Sequence, residues 1–280
     1  LILVGDSEQL ASVEAGSVFA DLCAAPRLAA ATVHLTQNYR TKGDPRAAWL
    51  ASVVSAVRDG DADRAIEALR SGGALIEPGA GEGHRPRTLT DLVVERAGPL
   101  YAKLCEQGEG GAAEALASLR RFRVLAATRR GDGGVNAIAA RLDAKLCDDR
   151  VGTGRHIIVL ENDREASLSN GDMGVVTREG VVVGLDDRGA PRMVPPASLP
   201  AHEPAWAISI HKSQGSEFDR VMVVLPADAK SPILSRQLFY TALTRSRGEV
   251  EVVATEASLR RAVEVPIRRQ SGLSDVLAKG

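Results

Sequence analysis

A loop of small and polar residues, His211-Lys212-Ser213-Gln214-Gly215-Ser216, follows a short apolar run at 207–210. In an α/β sheet, that is where backbone N–H groups are presented to phosphate. Gly215 lets the backbone come close to a phosphate, and Glu217, two residues on, has the chemistry to accept a hydrogen bond from a ribose hydroxyl. His211, Lys212 and Ser213 are placed either to meet a nucleic-acid phosphate or to brace the loop. Further along, an apolar helical run ends in Thr244-Arg245-Ser246-Arg247. Guanidinium groups at a helix end can reach across a cleft to a polyanion. Gln9 stands in a second loop, Gly5-Asp6-Ser7-Glu8-Gln9-Leu10, and Arg40 in Asn38-Tyr39-Arg40.

These segments resemble four motifs of superfamily 1 helicases in family order: GDSEQL with ASVEAGSVF as motif III, QNYRT as motif IV, WAISIHKSQGSEFDRV as motif V and LFYTALTRSR as motif VI. The wording is most similar to the RecD branch, the alpha subunits of exodeoxyribonuclease V. The late run Arg268-Arg269-Gln270-Ser271-Gly272-Leu273 adds to that likeness. It is dense at both ends of the chain and thin over 47–155. The resemblance implies an ATP-dependent DNA helicase acting in double-strand break repair and recombination, moving five-prime to three-prime on single-stranded DNA. It implies magnesium-ATP as cofactor, RecB-like and RecC-like subunits as partners, and the cytoplasm as location. It gives Gln9 a coupling role between nucleotide and DNA, makes Arg40 and Arg245 the cations on the γ-phosphate, and assigns Gly215 and Glu217 to the nucleotide and His211, Lys212 and Ser213 to DNA.

One requirement of that chemistry is missing. A P-loop holds the β- and γ-phosphates through backbone amides and a lysine, and binds magnesium through a hydroxyl and an aspartate. No GxxxxGK[ST] occurs in the 280 residues. The sequence also opens inside an apolar strand pattern without a methionine, so it reads as the carboxy-terminal part of a longer protein.

Composition narrows the alternatives. With 44% hydrophobic residues the chain can bury a sizeable core, and no apolar run approaches the ~20 residues of a membrane span. Cys23, Cys105 and Cys147 match no metal pattern, so no metal site is expected in the chain. A net charge of −1 lacks the basic footprint usual for phosphate binding. Any cationic surface must therefore be local, and arginines do cluster at 120–130, 245–247 and 260–269.

The elements that must position these residues follow from pattern. Strands are expected at 1–4, 31–35, 122–127 and 207–210, and helices at 17–25, 47–58, 62–70, 88–107, 112–119, 135–146 and 238–244. Short apolar runs at 157–160, 173–177, 181–185 and 193–194, separated by Asn-Gly-Asp and Pro-Pro turns, predict a small antiparallel barrel. It resembles the SH3-like insertion of RecD-type helicases; the competing reading is a hairpin extension of the main sheet. The expected fold class is α/β, with a RecA-like, P-loop NTPase-type parallel sheet and a small inserted SH3-like β-barrel. Residues 1–35 would be the tail of a first motor domain, 36–155 and 203–280 the second motor domain, and 156–202 the insertion. Alternatives within the enzyme class are a stand-alone RecD-like helicase or a relaxase-type helicase. Outside it stands a non-catalytic module that only binds DNA or a partner.

Overall fold

The computed structural model describes residues 2–10, 18–35, 45–79, 87–108, 111–147, 152–185, 190–267, 273 and 276–277. Arg40 and the run 268–272 lie outside the described residues.

Five parallel strands form the main sheet in the order β1-β10-β9-β2-β8, namely Leu75–Ile76, Ser246–Val253, Phe218–Val224, Phe122–Ala126 and Ala207–Ser209. Parallel strands are buried on both faces, and side chains alternate between them. Leu125, Ile208, Val221, Val223 and Val252 pack under α2 (Pro45–Asp59), α3 (Ala62–Ser71), α7 (Arg236–Leu243) and α8 (Glu256–Glu264). Val124, Ala126, Ala207, Met222 and Val224 face α4 (Leu89–Gly108) and α6 (Val135–Leu146). Caps set the helix starts: Asp61, Ser235 and Thr255 accept from backbone N–H groups in the first turns of α3, α7 and α8.

A second, antiparallel sheet has the order β6-β5-β4-β3-β7: Pro191–Val194, Val181–Leu185, Met173–Val176, His156–Val159 and His202–Pro204. It is separate from the main sheet and not a hairpin extension of it. Ile157, Val159, Val181, Val183 and Val194 close its own core. Val175 and Val182 point the other way, onto Ala115 and Leu119 of α5 (Ala112–Arg121). Gly174 on β4 allows this packing, since a Cβ there would lie 2.8 Å from the Val183 side chain and 2.9 Å from the Val182 carbonyl.

The expected strands at 1–4 and 31–35 do not form. Residues 2–6 and 32–35 have no regular structure, and Ile2, Val4, Val33 and Leu35 are exposed. A strand needs a hydrogen-bonding neighbour, and the main sheet contains neither run. Helix α1 (Val18–Ala24) lies between them as expected.

Where the two sheets meet, a polar and aromatic cluster is fully buried. The His156 ring stacks on Trp206 at 5.3 Å and meets Tyr101 edge-on at 5.7 Å. Ser118 donates its one hydroxyl proton to the Ala115 carbonyl and sits 3.1 Å from His156 Nε2, so Nε2 carries the ring proton. Burial pushes this imidazole well below its ordinary value, and the Arg123 guanidinium acts in the same direction. Tyr101 from α4, Arg123 from β2, Ser118 from α5 and Trp206 surround the ring, and none supplies a negative charge. The folded state therefore excludes a proton that the unfolded chain takes up below about pH 6.5. The stability this site contributes is present above that value and lost as pH falls through it, at up to about 1.4 kcal/mol per pH unit. The melting temperature should fall between pH 7 and pH 5, with a shallower slope in His156→Phe; an unchanged slope in that variant would remove His156 as the cause.

Candidate functional site

The two loops singled out by their chemistry meet at the end of α7. Arg245 follows that helix and directly precedes β10. It is buried, and its guanidinium is fixed from several sides. Nε donates to the Thr241 carbonyl at 3.1 Å, Nη1 to the Ser216 carbonyl at 3.3 Å, and Nη2 to Gln9 Oε1 at 2.8 Å. Gln9 in turn donates from Nε2 to Asp6 at 2.9 Å.

Leu10 anchors this loop through its peptide groups. Its N–H donates to Thr241 Oγ1 at 2.8 Å, and its carbonyl accepts from Gln214 Nε2 at 2.8 Å. Tyr240 donates to Asp6 at 3.3 Å. Burial, reinforced by the Asp6 carboxylate, pushes the Tyr240 phenol up to about 12, which keeps it protonated as a donor. Tyr240 and Thr241 of α7, and Arg245 just past its end, thus grip the 5–10 loop.

The motif V loop turns its other side to a different space. Gly215 has φ +81°, and nothing lies within 4 Å of where its Cβ would be. The glycine is needed for the backbone conformation, and its open side leaves the peptide accessible. Glu217 accepts from Arg247 Nε at 3.3 Å. A register shift between Ser246 and Glu249 bulges β10 beside this pair, and such a bulge re-aims the side chains it carries. Gly215, Glu217 and Arg247 line a cleft of about 600 Å³ whose opposite walls include Arg120, Asp172 and Arg192.

Lys212 donates to Glu203 at 3.1 Å, and His211 is exposed. Ser213 is fully buried and donates to the Ile210 carbonyl at 2.7 Å. Of the two roles open to it from sequence, its geometry fits bracing the loop.

Comparison with known proteins bears on the whole chain. Residues 204–253 match the UvrD-like helicase C-terminal domain, and residues 1–79 match an AAA domain. The RecBCD enzyme subunit RecD of Mycolicibacterium smegmatis is 38% identical over 98% of this chain and 48% of its own length. Over nearly its whole length the chain is similar to RecD-type sequence. The ATP-dependent RecD2 DNA helicase of Deinococcus radiodurans is 28% identical over 88% of this chain and 31% of its own length. A Bacteroides Pif1 helicase solved in complex with ADP-AlF3 and ssDNA gives a TM-score of 0.43 at 18% identity, over 84% of this chain and 54% of that one. The chain spans about half the length of the curated RecD relatives it matches.

Within this RecD-type frame the structure brings Gln9, Arg245 and the motif V loop into direct contact, with Gly215 and Glu217 on the loop's cleft side. Thr241 and Gln214 were not singled out by sequence. Thr241 lies four residues before Arg245, hence on the same helix face, which was the available signal. Among the described residues, no group of three His, Cys, Asp or Glu side chains could hold a metal ion, and no helix is long and apolar enough to cross a membrane.

Proposed function

We propose that this chain supplies the second RecA-like half of the ATP cleft of a RecD-like DNA helicase, one that acts on single-stranded DNA five-prime to three-prime in double-strand break repair. The observation that carries the reading is the Arg245–Gln9 contact at 2.8 Å. It joins a cation suited to the γ-phosphate with an amide suited to the attacking water, across 236 positions of chain.

In this reading the parallel sheet is RecA-like, residues 1–35 belong to the first motor domain, and the antiparallel sheet is an SH3-like insertion. Arg245 would face the γ-phosphate, where it compensates charge that grows during transfer. Arg40 would be its companion. Gly215 and Glu217 would serve the phosphates and ribose, and His211 and Lys212 the DNA backbone. The donor set fits the phosphate end of a nucleotide. The lysine and magnesium ligands of a P-loop are not in this sequence, so magnesium-ATP would need a P-loop segment in addition. The higher identity to a RecBCD subunit than to RecD2 favours RecB-like and RecC-like partners, in the cytoplasm, over a stand-alone helicase.

The test is direct. The 280-residue chain alone should show no DNA-stimulated ATP hydrolysis, and joining it to the P-loop segment of a RecD relative should produce strand-dependent hydrolysis. Turnover by the chain alone in a clean preparation, or none in the joined protein, would sink the reading.

A further inference from the structure

Two basic loops leave the main sheet at the same edge. Strands β2 and β8 are adjacent and parallel, with Ala126 paired to Ser209. Arg129 is the third residue past the end of β2, and Lys212 the third past the end of β8. The carboxyl edge of such a sheet is where ligands bind.

Both cations converge on one carboxylate. Glu203, on β7 of the antiparallel sheet, accepts from Arg129 Nη2 through Oε2 at 3.0 Å and from Lys212 Nζ through Oε1 at 3.1 Å. One oxygen to each cation is how the two non-bridging oxygens of a phosphodiester would bind there. Arg130 is exposed beside them with no hydrogen-bond or ion-pair partner among the described residues, and His211 is exposed on the neighbouring loop. In a chain of net charge −1, this is a local concentration of positive charge.

The loop that carries the arginines is fixed in place. Asp132 accepts from Leu89 N at 2.8 Å, Thr90 N at 2.9 Å and Thr90 Oγ1 at 2.8 Å, which caps α4. Despite burial, which works the other way, the hydrogen bonds from Thr90 and Leu89 hold its carboxyl below the usual range, so it stays charged. Val135 N and Asn136 N donate to the Thr128 and Arg129 carbonyls at 3.0 Å each. A phosphate arriving here meets a preformed pair of cations. Arg129 is also more than half exposed, and ion pairs at such surfaces are worth only about 0–1 kcal/mol, so a strand can take over the Arg129 arm at little cost, while the Lys212 arm is more enclosed.

We propose that Glu203 takes the place of a strand phosphate on Arg129 and Lys212 when no strand is bound, holding closed an edge at which these two cations and Arg130 meet the phosphodiester backbone of a single strand. The proposal rests on the helicase reading only in taking the ligand to be a nucleic-acid strand. Glu203 thereby ties strand binding to the antiparallel sheet: a bound phosphate releases β7 from the loops.

Fluorescence anisotropy of a labelled oligothymidylate against the chain at low salt tests it. Glu203→Gln should tighten binding about 3- to 10-fold, and Arg129→Ala should weaken it by a similar factor. The slope of log affinity against log salt should lose about 0.7 in Arg129→Ala, the value for one single-strand phosphate contact, and be retained in Arg129→Lys. Unchanged melting temperatures would show that the variants fold. Equal affinities in all variants would overturn the inference and leave the helicase reading standing, as would the absence of binding by both the wild-type chain and Glu203→Gln. Full displacement of the oligonucleotide by millimolar ATP would overturn it too, because the edge would then serve a nucleotide's phosphate tail. The helicase reading fails separately, through hydrolysis.

Discussion

Arg245→Ala, placed in a protein that joins this chain to a P-loop segment, is expected to lower kcat for ATP by about 10³-fold, the lower range for arginine fingers. KM should change much less if, as proposed, the guanidinium compensates charge that grows in the transition state. The geometry explains the size of the effect. Thr241, Ser216 and Gln9 hold the side chain from three directions, so the charge is positioned before the reaction begins. Arg245→Lys should rescue poorly, since an ammonium cannot make the planar set of bonds to both carbonyls and Gln9. Steady-state kinetics with and without oligonucleotide decide it. Intact hydrolysis together with lost DNA binding in Arg245→Ala would place this residue on the strand and not on the nucleotide.

Trp206→Ala should produce the largest loss of stability. Trp206 is fully buried, stacks on His156 and meets Tyr101 edge-on at 5.1 Å. Its indole N–H donates to Asp143 Oδ1 at 3.0 Å, and its carbonyl accepts from the Tyr101 hydroxyl. Truncating a buried aromatic to alanine costs about 3–5 kcal/mol, which in a chain of this size lowers the melting temperature by roughly 5–9 °C. Trp206→Phe keeps most of the packing and should lose nearer to 1 kcal/mol, the value of one hydrogen bond. Although burial opposes it, bonding from Arg155 and Trp206 holds the Asp143 carboxyl below its ordinary value. Arg155, at 2.7 and 3.0 Å, still holds Asp143 once the indole is gone. A loss below 1 kcal/mol in Trp206→Ala, measured by denaturant melts, would show that this cluster does not hold the two sheets together.

Much of this architecture was legible in local pattern. Helix α6 and strand β5 fall where apolar periodicity put them, and α2, α3, α4 and α5 differ from expectation only at their ends. Each has a glycine or cap at its boundary and one clear period. Strand β10 was missed because Ser246 to Val253 alternates charge with apolar residues and follows a helix without a turn signal. The two-residue strand β1 was too short to leave a pattern, and β7 carries a proline. The runs at 1–4 and 31–35 have strand composition, but strand formation depends on a neighbour that sequence pattern does not supply. At the site, the motif residues Gln9 and Arg245 were legible from type and order. The residues that hold them, Thr241 and Gln214, were not, because a hydroxyl that binds a peptide group 231 positions away has no local signature.

Strand β3 bears on how the molecule can move. Ile157 and Val159 belong to the small core of the antiparallel sheet, while Ile158 packs into the main core and His156 lies against Tyr101 and Trp206. A module hung on a flexible tether swings freely, whereas one whose first strand has a row of side chains in each of two cores resists twisting about that strand. Any swivel there would have to pull Ile158 and His156 out of their packing. Torque applied to the small sheet is therefore passed to the main sheet as to a welded bracket, and the return from β7 to β8 is held as firmly, since the two residues between them, Ala205 and Trp206, are fully buried.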